Sequence, residues 1–285
     1  MTASAAAGSA RRPARLAGVD PLTVLARLTD RDRVLCRLLA EHRVLTTSQI
    51  AELAFGSATT AQHRLIVLHR LGVLARFRRY RPAGSEPWHY LLDVVGAQLV
   101  AAETGRTPPS PAVLRARTVA LAASSHLDHL IGVNTFFTTL AGYARRSGGT
   151  AALEAWWSER RTVAEYGDFV RPDGYGVWRE HGARTAFFLE HDTGTETLTR
   201  VVGKLAGYTD LADTDTDTDV GGRPAVLLFW LPGARREAAL RRALGEPSIP
   251  VATASPTLGG PAGAVWLPLG AGGPRRCLAE LGGGH

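Results

Sequence analysis

Features that mark several protein classes are scarce in this sequence of 285 residues. Its two cysteines, Cys36 and Cys277, are too few and too far apart for a disulfide scaffold or a cysteine-type zinc finger, and they fit a reducing compartment. The longest apolar run, residues 225–231, is far shorter than the ~20 residues that span a bilayer. The N-terminal residues lack the apolar segment of a secretory signal. We therefore expect a globular protein of the cytoplasm.

Lysine is almost missing, and the net positive charge comes from the first third of the chain. The basic residues are 32 Arg and a single lysine, Lys204. Residues 1–95 contain 14 Arg and 7 acidic residues, whereas the remaining 190 residues contain 19 basic and 19 acidic residues. This asymmetry predicts a basic module that meets a polyanion, joined to a neutral module with another task.

Residues 28–103 have the pattern of three short helices followed by a β-hairpin. Ser, Thr or Asp caps precede three amphipathic segments, of which the third covers residues 57–71. Residues 73–81 alternate between apolar and polar side chains, and a turn rich in proline and glycine leads to a return strand at 88–92. This order predicts a winged helix-turn-helix domain.

The third helix and the hairpin carry the residues that suit DNA. Residues 53–85 contain six arginines and no acidic side chain. Arginine presents a planar fork to phosphate oxygens, and polar side chains near the start of the third helix could reach base edges in a major groove. The predicted nucleic-acid contacts are Thr59, Thr60, Gln62, His63, Arg64, Arg70, Arg76, Arg78, Arg79 and Arg81. The alternative is a solvated basic face on a winged helix that binds proteins, but the charge pattern favours double-stranded DNA.

Composition divides the rest of the chain. Residues 1–27 are predicted to be a disordered lead-in, and the proline-rich residues 104–111 a linker. Residues 112–269 are predicted to form an α/β module, and residues 270–285 a mobile glycine-rich tail. The acidic repeat at 213–219 lacks the glycine and glutamate of an EF-hand, so it is predicted to be a solvated loop.

The second module has the element order α-β-β-β-α-β, which makes the chain a mixed α/β protein. The predicted elements are a helix at 126–146, strands at 152–157, 169–178 and 184–192, a helix at 195–211, a strand at 225–231, a helix at 234–244, and late strands at 249–253 and 264–267. The strand–helix–strand unit that ends at 231 requires a parallel pair of strands.

Acidic side chains fall at the ends of two neighbouring predicted strands. Asp173 lies on the second strand, Glu190 ends the third, and Asp192 points to the same side as Glu190 because strand side chains alternate. Lys204 lies on the helix that follows. Carboxylate oxygens suit Mg²⁺ or Mn²⁺, which could polarise a phosphoryl oxygen while the lysine stabilises the added charge. The predicted catalytic group is Asp173, Glu190, Asp192 and Lys204, with Asp173 and Glu190 as the metal ligands.

These motifs resemble two known groups of proteins. The element order with Pro172-Asp173 and Glu190-x-Asp192 resembles the restriction-endonuclease-like PD-(D/E)xK superfamily. From about Thr29 to Leu231, the chain more closely resembles the replication-relaxation proteins of bacterial plasmids and mobile elements. The shared features are the winged helix, the helix with His126 and Asn134, the Pro172-Asp173-Gly174 turn, the stretch from Phe188 to Thr195, and Lys204-x-x-x-Tyr208. The resemblance implies a role in plasmid replication or DNA relaxation.

One position departs from the nuclease pattern. The superfamily usually has lysine two residues after the third-strand acid, where this chain has Asp192. Lys204 on the next helix could supply the missing charge. Alternatively the site has decayed and the fold only binds, the acids are solvated strand ends or cap partners, and Lys204 completes a surface charge ladder with Glu196 and Arg200.

We therefore expect a DNA-binding protein of plasmid or mobile-element replication or relaxation, with a nuclease-like second domain. An active metal-dependent DNA endonuclease and a winged-helix transcription regulator remain alternatives, so enzymatic activity is left open. Mg²⁺ or Mn²⁺ are the only cofactors that the sequence suggests. The expected partners are double-stranded DNA and plasmid replication or mobilisation proteins. A homodimer is left open, and no membrane is expected.

Overall fold

The structure, a computed structural model, describes residues 23–24, 26–80, 84, 86–214, 224–270 and 273–282. Arg81, residues 215–219 of the acidic repeat and most of the predicted lead-in lie outside the described residues. The chain is mixed α/β and contains a three-stranded and a six-stranded sheet. Within the described ranges, none of the helices has the length and apolarity needed to cross a bilayer.

Residues 28–104, here called the N-terminal module, contain four helices and a small antiparallel sheet. The elements are α1 (Asp30–His42), β1 (Leu45–Thr46), α2 (Thr47–Ala54), α3 (Ala58–Arg70), β2 (Leu74–Phe77), β3 (His89–Leu92) and α4 (Val94–Thr104). Thr29, Thr46 and Ser57 cap α1, α2 and α3 through their side chains, so the helices begin where capping residues occur in the sequence. The strand order is β1-β3-β2, which confirms the predicted hairpin and adds one short strand.

The core of this module differs in detail from the periodicity of the sequence. Leu35, Leu39 and Leu65 are buried as the pattern predicts. Val34 and Val67, which the same pattern places inside, are 45% and 36% exposed. The buried face of α1 uses Cys36 beside Leu35, so the apolar stripe is rotated by one position. Val24, within the predicted lead-in, is fully buried in the same core.

Residues 111–282, here called the C-terminal module, form a sheet covered by helices. The elements are α5 (Pro111–Ala122), α6 (Leu127–Arg146), β4 (Ala151–Ser158), α7 (Glu159–Tyr166), β5 (Gly174–Glu180), β6 (Ala183–His191), α8 (Leu198–Gly203), α9 (Leu205–Ala212), β7 (Val226–Trp230), α10 (Ala234–Leu244), β8 (Val251–Ala254), a 3₁₀ turn (Pro256–Leu258), β9 (Leu267–Pro268) and α11 (Leu278–Leu281). The sheet order is β4-β5-β6-β7-β8-β9. Strands β6, β7 and β8 are parallel, which confirms the predicted crossover, and the other pairs are antiparallel.

Alternate side chains of β6 face two different cores. Phe187 and Leu189 pack with Phe136 and Phe137 of α6 on one face of the sheet. Phe188 packs on the other face with a cluster to which α8, α9 and α10 contribute. Because both faces are covered, the central strands are apolar throughout, as buried parallel strands generally are.

Several predicted boundaries in this module differ from the structure. Helices α5 and α7 were not predicted, and β5 begins only at Gly174 rather than at residue 169. The predicted helix at 195–211 is divided at Lys204 into α8 and α9. In the glycine-rich tail, which was expected to be mobile, Leu278 of α11 is fully buried against the sheet, and its carbonyl accepts a hydrogen bond from Thr185.

The two modules are joined by polar contacts as well as by residues 105–110. Asn134 Nδ2 of α6 donates to the Val44 carbonyl at 2.7 Å, and Gln49 Nε2 of α2 donates to the Ile131 carbonyl at 2.9 Å. His42 stacks on Trp156 with ring centroids 3.6 Å apart. Alpha-helices α2 and α6 thus lie against each other, and the predicted linker does not hold the modules apart.

Candidate functional site

A cleft of about 820 Å³ lies where the C-terminal ends of β4 and β6 face the end of α1. Its walls include Glu41, His42 and Arg43 of the N-terminal module. Its other walls come from the C-terminal module and include the four predicted catalytic residues Asp173, Glu190, Asp192 and Lys204. The structure therefore brings all four predicted residues to one cleft.

Glu190 is the most buried charged group of this cleft. It lies near the end of β6 and is 3% exposed. Lys204 Nζ donates to Glu190 Oε2 at 2.6 Å, and the Tyr208 hydroxyl donates to Glu190 Oε1 at 2.6 Å. Lys204 Nζ also lies 3.6 Å from Glu196 Oε2. The break between α8 and α9 occurs at Lys204, so the lysine extends from a helix junction toward the sheet.

Burial and a second carboxylate change the acidity of Glu190. Burial, followed by repulsion from Asp173, raises the pKa of Glu190 to about 7, although Lys204 and Tyr208 favour its charged form. Burial alone would lower the pKa of Lys204, but attraction to Glu190 outweighs it and the pKa is raised. Burial and the adjacent Glu190 raise the pKa of Tyr208. Glu190 can therefore exchange a proton near neutral pH while its two partners keep theirs.

Asp173 is held by the opposite side of the cleft. Its Oδ1 lies 2.8 Å from His129 Nε2 on α6, and its Oδ2 accepts the backbone N–H of His191 at 2.7 Å. The hydrogen bond to Asp173 raises the pKa of His129 despite burial, whereas burial and the neighbouring His129 lower the pKa of His191. The His191 ring packs on α6 at Gly132, where any Cβ would collide with it. The two imidazoles meet edge to face with centroids 5.4 Å apart.

Asp192, which its spacing groups with Glu190, binds the loop after β6 and helix α10. Its Oδ1 accepts the backbone N–H of Gly194 at 2.6 Å, and its Oδ2 accepts Arg236 Nε at 2.6 Å. Arg236 also donates to the Glu196 carbonyl. Asp192 therefore ties the loop after β6 to α10, and it takes no part in the hydrogen bonds around Glu190.

The carboxylates as placed do not fit a resident divalent cation. Both oxygens of Asp173 and both oxygens of Glu190 already accept hydrogen bonds from protein donors. Within the described ranges, no group of three or more His, Cys, Asp or Glu side chains is placed to hold a metal ion. Mg²⁺ and Mn²⁺ sites in proteins are built from several oxygen ligands, and here the group beside the Glu190 carboxylate is the Lys204 ammonium.

The predicted DNA contacts of α3 divide into two sets. Thr59, Thr60, Gln62, His63 and Arg70 are exposed. Arg64 is partly buried, and its guanidinium already has protein partners. It forms an ion pair with the buried carboxylate of Asp32 and donates to the Arg27 carbonyl. Arg64 therefore supports the packing of α3 on α1, and its predicted phosphate contact stays a prediction.

The hairpin also contains two kinds of arginine. The guanidinium carbons of Arg76 and Arg78 lie 4.1 and 4.4 Å from the centroid of the Trp88 ring. Arg79 instead donates to Glu86 and to Asp128 of α6, so it links the hairpin to the C-terminal module rather than to solvent. Arg81 lies outside the described residues. Tyr80, which the sequence analysis did not select, is 88% exposed at this end of the hairpin.

Three residues at the site were not among the predicted site residues. The sequence favours a cap or core-edge position for His129, with a metal ligand as the alternative. His191 and Tyr208 lie in stretches that resemble the replication-relaxation family, but neither has a predicted role of its own. The available signal was the i, i+4 spacing of Lys204 and Tyr208, which places both side chains on one helix face. Asp173 and His129 are 44 positions apart, so no local pattern pairs them.

The fold and the cleft together define a two-module α/β protein. The C-terminal module holds the buried site of Glu190, Lys204 and Tyr208, and the N-terminal module carries the hairpin with its arginines. A family model described as replication-relaxation matches residues 36–226, which is more than half of the chain. The chain belongs to the replication-relaxation family, and this membership suggests a role in plasmid or mobile-element replication. No curated protein matches the chain, and no solved structure matches it.

Proposed function

We propose that the protein binds duplex DNA in the replication of a plasmid or mobile element, with the N-terminal module acting as a winged helix-turn-helix. The module has the required order of three helices followed by a hairpin. In this arrangement α3 enters the major groove and the hairpin contacts the backbone beside it.

The observation that carries this proposal is the pair of arginines over Trp88. In the described part of the chain, neither Arg76 nor Arg78 has a carboxylate partner. Their guanidinium carbons lie over the indole, and their N–H groups, which carboxylates do not engage, are available for phosphate oxygens. A cation that is ordered before DNA arrives loses less side-chain entropy on binding.

The exposed side chains of α3 support the same function. Thr59, Gln62 and His63 lie in the first half of α3, whereas Leu65 and Leu68 on the opposite face are buried in the core. Hydroxyl, amide and imidazole groups can read base edges in a major groove. The helix therefore combines a firmly packed inner face with a polar outer face.

Salt-dependent DNA binding tests this proposal. Arg76→Ala combined with Arg78→Ala should lower the slope of log K against log[salt] by one to two units, because each lost phosphate contact removes about 0.9. The measurement is fluorescence anisotropy of a labelled duplex at several salt concentrations. Arg115→Ala combined with Arg117→Ala is the matched control, since it removes two exposed arginines with the same spacing from α5. Equal slope changes in both variants would mean that only the net charge of the protein matters for binding. That result would reject the hairpin as the DNA contact.

A metal-dependent endonuclease is the second candidate, favoured by the meeting of Asp173, Glu190 and Lys204 in one cleft. Because no third metal-ligating side chain joins these two carboxylates among the described residues, we propose that the resting site binds DNA without cutting it. A supercoiled plasmid incubated with the protein and Mg²⁺ or Mn²⁺ should show no more nicking than the EDTA control. Metal-dependent nicking that disappears in Glu190→Gln, but persists in Glu237→Gln outside the cleft, would establish the endonuclease instead.

A further inference from the structure

The end of α1 contains an unusual backbone turn centred on Arg43. Arg43 has φ 70° and ψ −44°, and the Val44 N–H donates to the His42 carbonyl at 2.8 Å. A hydrogen bond between residues two apart, with positive φ at the centre, defines the strained form of the γ-turn. Glycine reaches positive φ without the penalty that a Cβ brings, so the backbone does not account for an arginine here.

Contacts with the C-terminal module hold this turn in place. Asn134 Nδ2 donates to the carbonyls on both sides of Arg43, at 2.7 Å to Val44 and 3.4 Å to His42. Glu41 accepts hydrogen bonds from both the backbone and the hydroxyl of Ser158. A strained turn persists only where its surroundings determine it, and such turns occur often at binding sites.

The Arg43 side chain lies in the wall of the cleft and is exposed. Its guanidinium makes no ion pair or side-chain hydrogen bond with any residue that the structure describes. The carboxylates Asp173, Glu190 and Asp192 across the cleft already carry donors of their own. Arg43 is therefore a cation that the N-terminal module supplies to a cleft of the C-terminal module without a partner of its own.

One residue, Asp128, connects the wall of the cleft to the proposed DNA-binding hairpin. Asp128 lines the cleft, and it also accepts a hydrogen bond from Arg79 at the end of the hairpin. A volume of about 820 Å³ holds a few nucleotides of a single strand but not a turn of duplex. The cleft therefore lies beside the hairpin and has the size of a single-strand site rather than of a duplex site.

We propose that Arg43 binds a phosphate of a single DNA strand, which passes from the hairpin into the cleft and across the Glu190 site. This inference rests on the proposed DNA binding and adds a second, strand-specific contact to it. The strained turn then has a purpose, because it directs the arginine of one module into the site of the other.

The test compares two DNA substrates with the full-length chain. One is a labelled blunt duplex, and the other is a fork with the same duplex and one single-stranded arm. Arg43→Gly and Arg43→Gln should each weaken binding to the fork about fivefold and leave blunt-duplex binding within twofold. Arg43→Lys, which keeps the charge, should bind the fork within about threefold of the unmodified protein.

The matched control is His181→Gly, since His181 is, among the described residues, the other non-glycine residue with positive φ. It lies in the β5–β6 turn, at the end of the sheet away from the cleft. This variant should leave binding to both substrates unchanged. The melting temperature of both glycine variants should stay unchanged or rise by about 2 °C, because each removes strain from a turn. Loss of fork binding in Arg43→Gln, which needs the same backbone as arginine, excludes refolding of the turn as the cause.

Wild-type fork binding in Arg43→Gln, or an equal loss on both substrates, would overturn the inference. If blunt-duplex binding depends on Arg76 and Arg78 but the affinity for the fork is unchanged in the Arg43 variants, the inference fails and the proposed function stands. If the protein binds no blunt duplex but its fork binding depends on Arg43, the proposed function fails and the strand contact stands. A protein that binds neither substrate overturns both.

Discussion

Glu190 and Glu237 are two equally buried glutamates of the C-terminal module, each 3% exposed and each bound by one cation and one hydroxyl. Arg275 contacts Glu237 through two nitrogens at 2.9 and 2.7 Å, and Thr253 donates to it at 2.8 Å. Lys204 contacts Glu190 through a single ammonium group. The pairs are similar in composition, but they differ in geometry.

The acidity of the two carboxyl groups differs in direction. Burial would raise the pKa of Glu237, but hydrogen bonds from Arg275 and Thr253 outweigh it and the pKa is lowered. Burial together with the repulsion of Asp173 raises the pKa of Glu190 to about 7. At Glu190, burial is the largest cause of the raised pKa and Asp173 adds to it, whereas at Glu237 the hydrogen bonds from Arg275 and Thr253 outweigh burial. The result is an ionised structural group at α10 and a group that can change charge at the cleft.

The two sites should differ most in how much the free energy of unfolding falls when their cations, Arg275 and Lys204, are replaced. Arg275→Met leaves the ionised Glu237 buried without its partner and should lower the free energy of unfolding by about 3 kcal/mol. Lys204→Met should cost only about 1 kcal/mol at pH 6, because Glu190 can take up a proton instead. Urea denaturation measures both values, and Arg235→Met on the exposed side of α10 is the control, with an expected change within about 0.5 kcal/mol. Equal losses at Arg275 and Lys204 would remove the distinction between the two sites.

The pH dependence of stability should have opposite sign at the two glutamates. Glu190 has an ordinary pKa of 4.5 when unfolded and about 7 when folded, so the unfolded chain ionises first as the pH rises. Between pH 4.5 and 7.5 this lowers the free energy of unfolding by about 2–3 kcal/mol. Glu190→Gln removes this pH dependence. Its free energy of unfolding should therefore rise by about 2–3 kcal/mol relative to that of the unmodified protein between pH 4.5 and 7.5.

Glu237→Gln is the opposite control. Because the folded pKa of Glu237 is lowered, its contribution is present above its ordinary pKa of 4.5 and is lost as the pH falls through the folded value. The deficit of this variant should therefore be largest at neutral pH and shrink on acidification. Denaturation curves at six pH values would measure both variants, and parallel pH profiles would contradict the assignment.

Local signals in the sequence predict much of the fold. The helix at 234–244 agrees with α10 at both ends, and the apolar runs at 186–189 and 225–231 are buried strands. Helix α5 escaped detection because only Leu114 and Leu121 are buried in it, whereas Val119 is 69% exposed. A helix with so little buried surface leaves no apolar stripe in the sequence.

The candidate site was predictable in its acids but not in their partners. Strand alternation and strand order place Glu190 and Lys204 near one another, and they lie 2.6 Å apart. The same reasoning assigned Arg64 to DNA, although it pairs with Asp32, 32 positions away. It also missed that His129 pairs with Asp173. Such pairings depend on which helices pack together, and charge and periodicity do not specify that.

The contact between α2 and α6 limits which substitutions and which exchanges of modules the protein can accept. Gly142 of α6 leaves the space that the Glu52 carboxylate of α2 occupies, and Arg146 pairs with the same carboxylate. A larger residue at 142, or another residue at 52, would demand a change in the opposite module. Chimeras that exchange modules between relatives should therefore succeed only when α2 and α6 come from the same parent, so a division at the proline-rich connector alone would separate residues that must match.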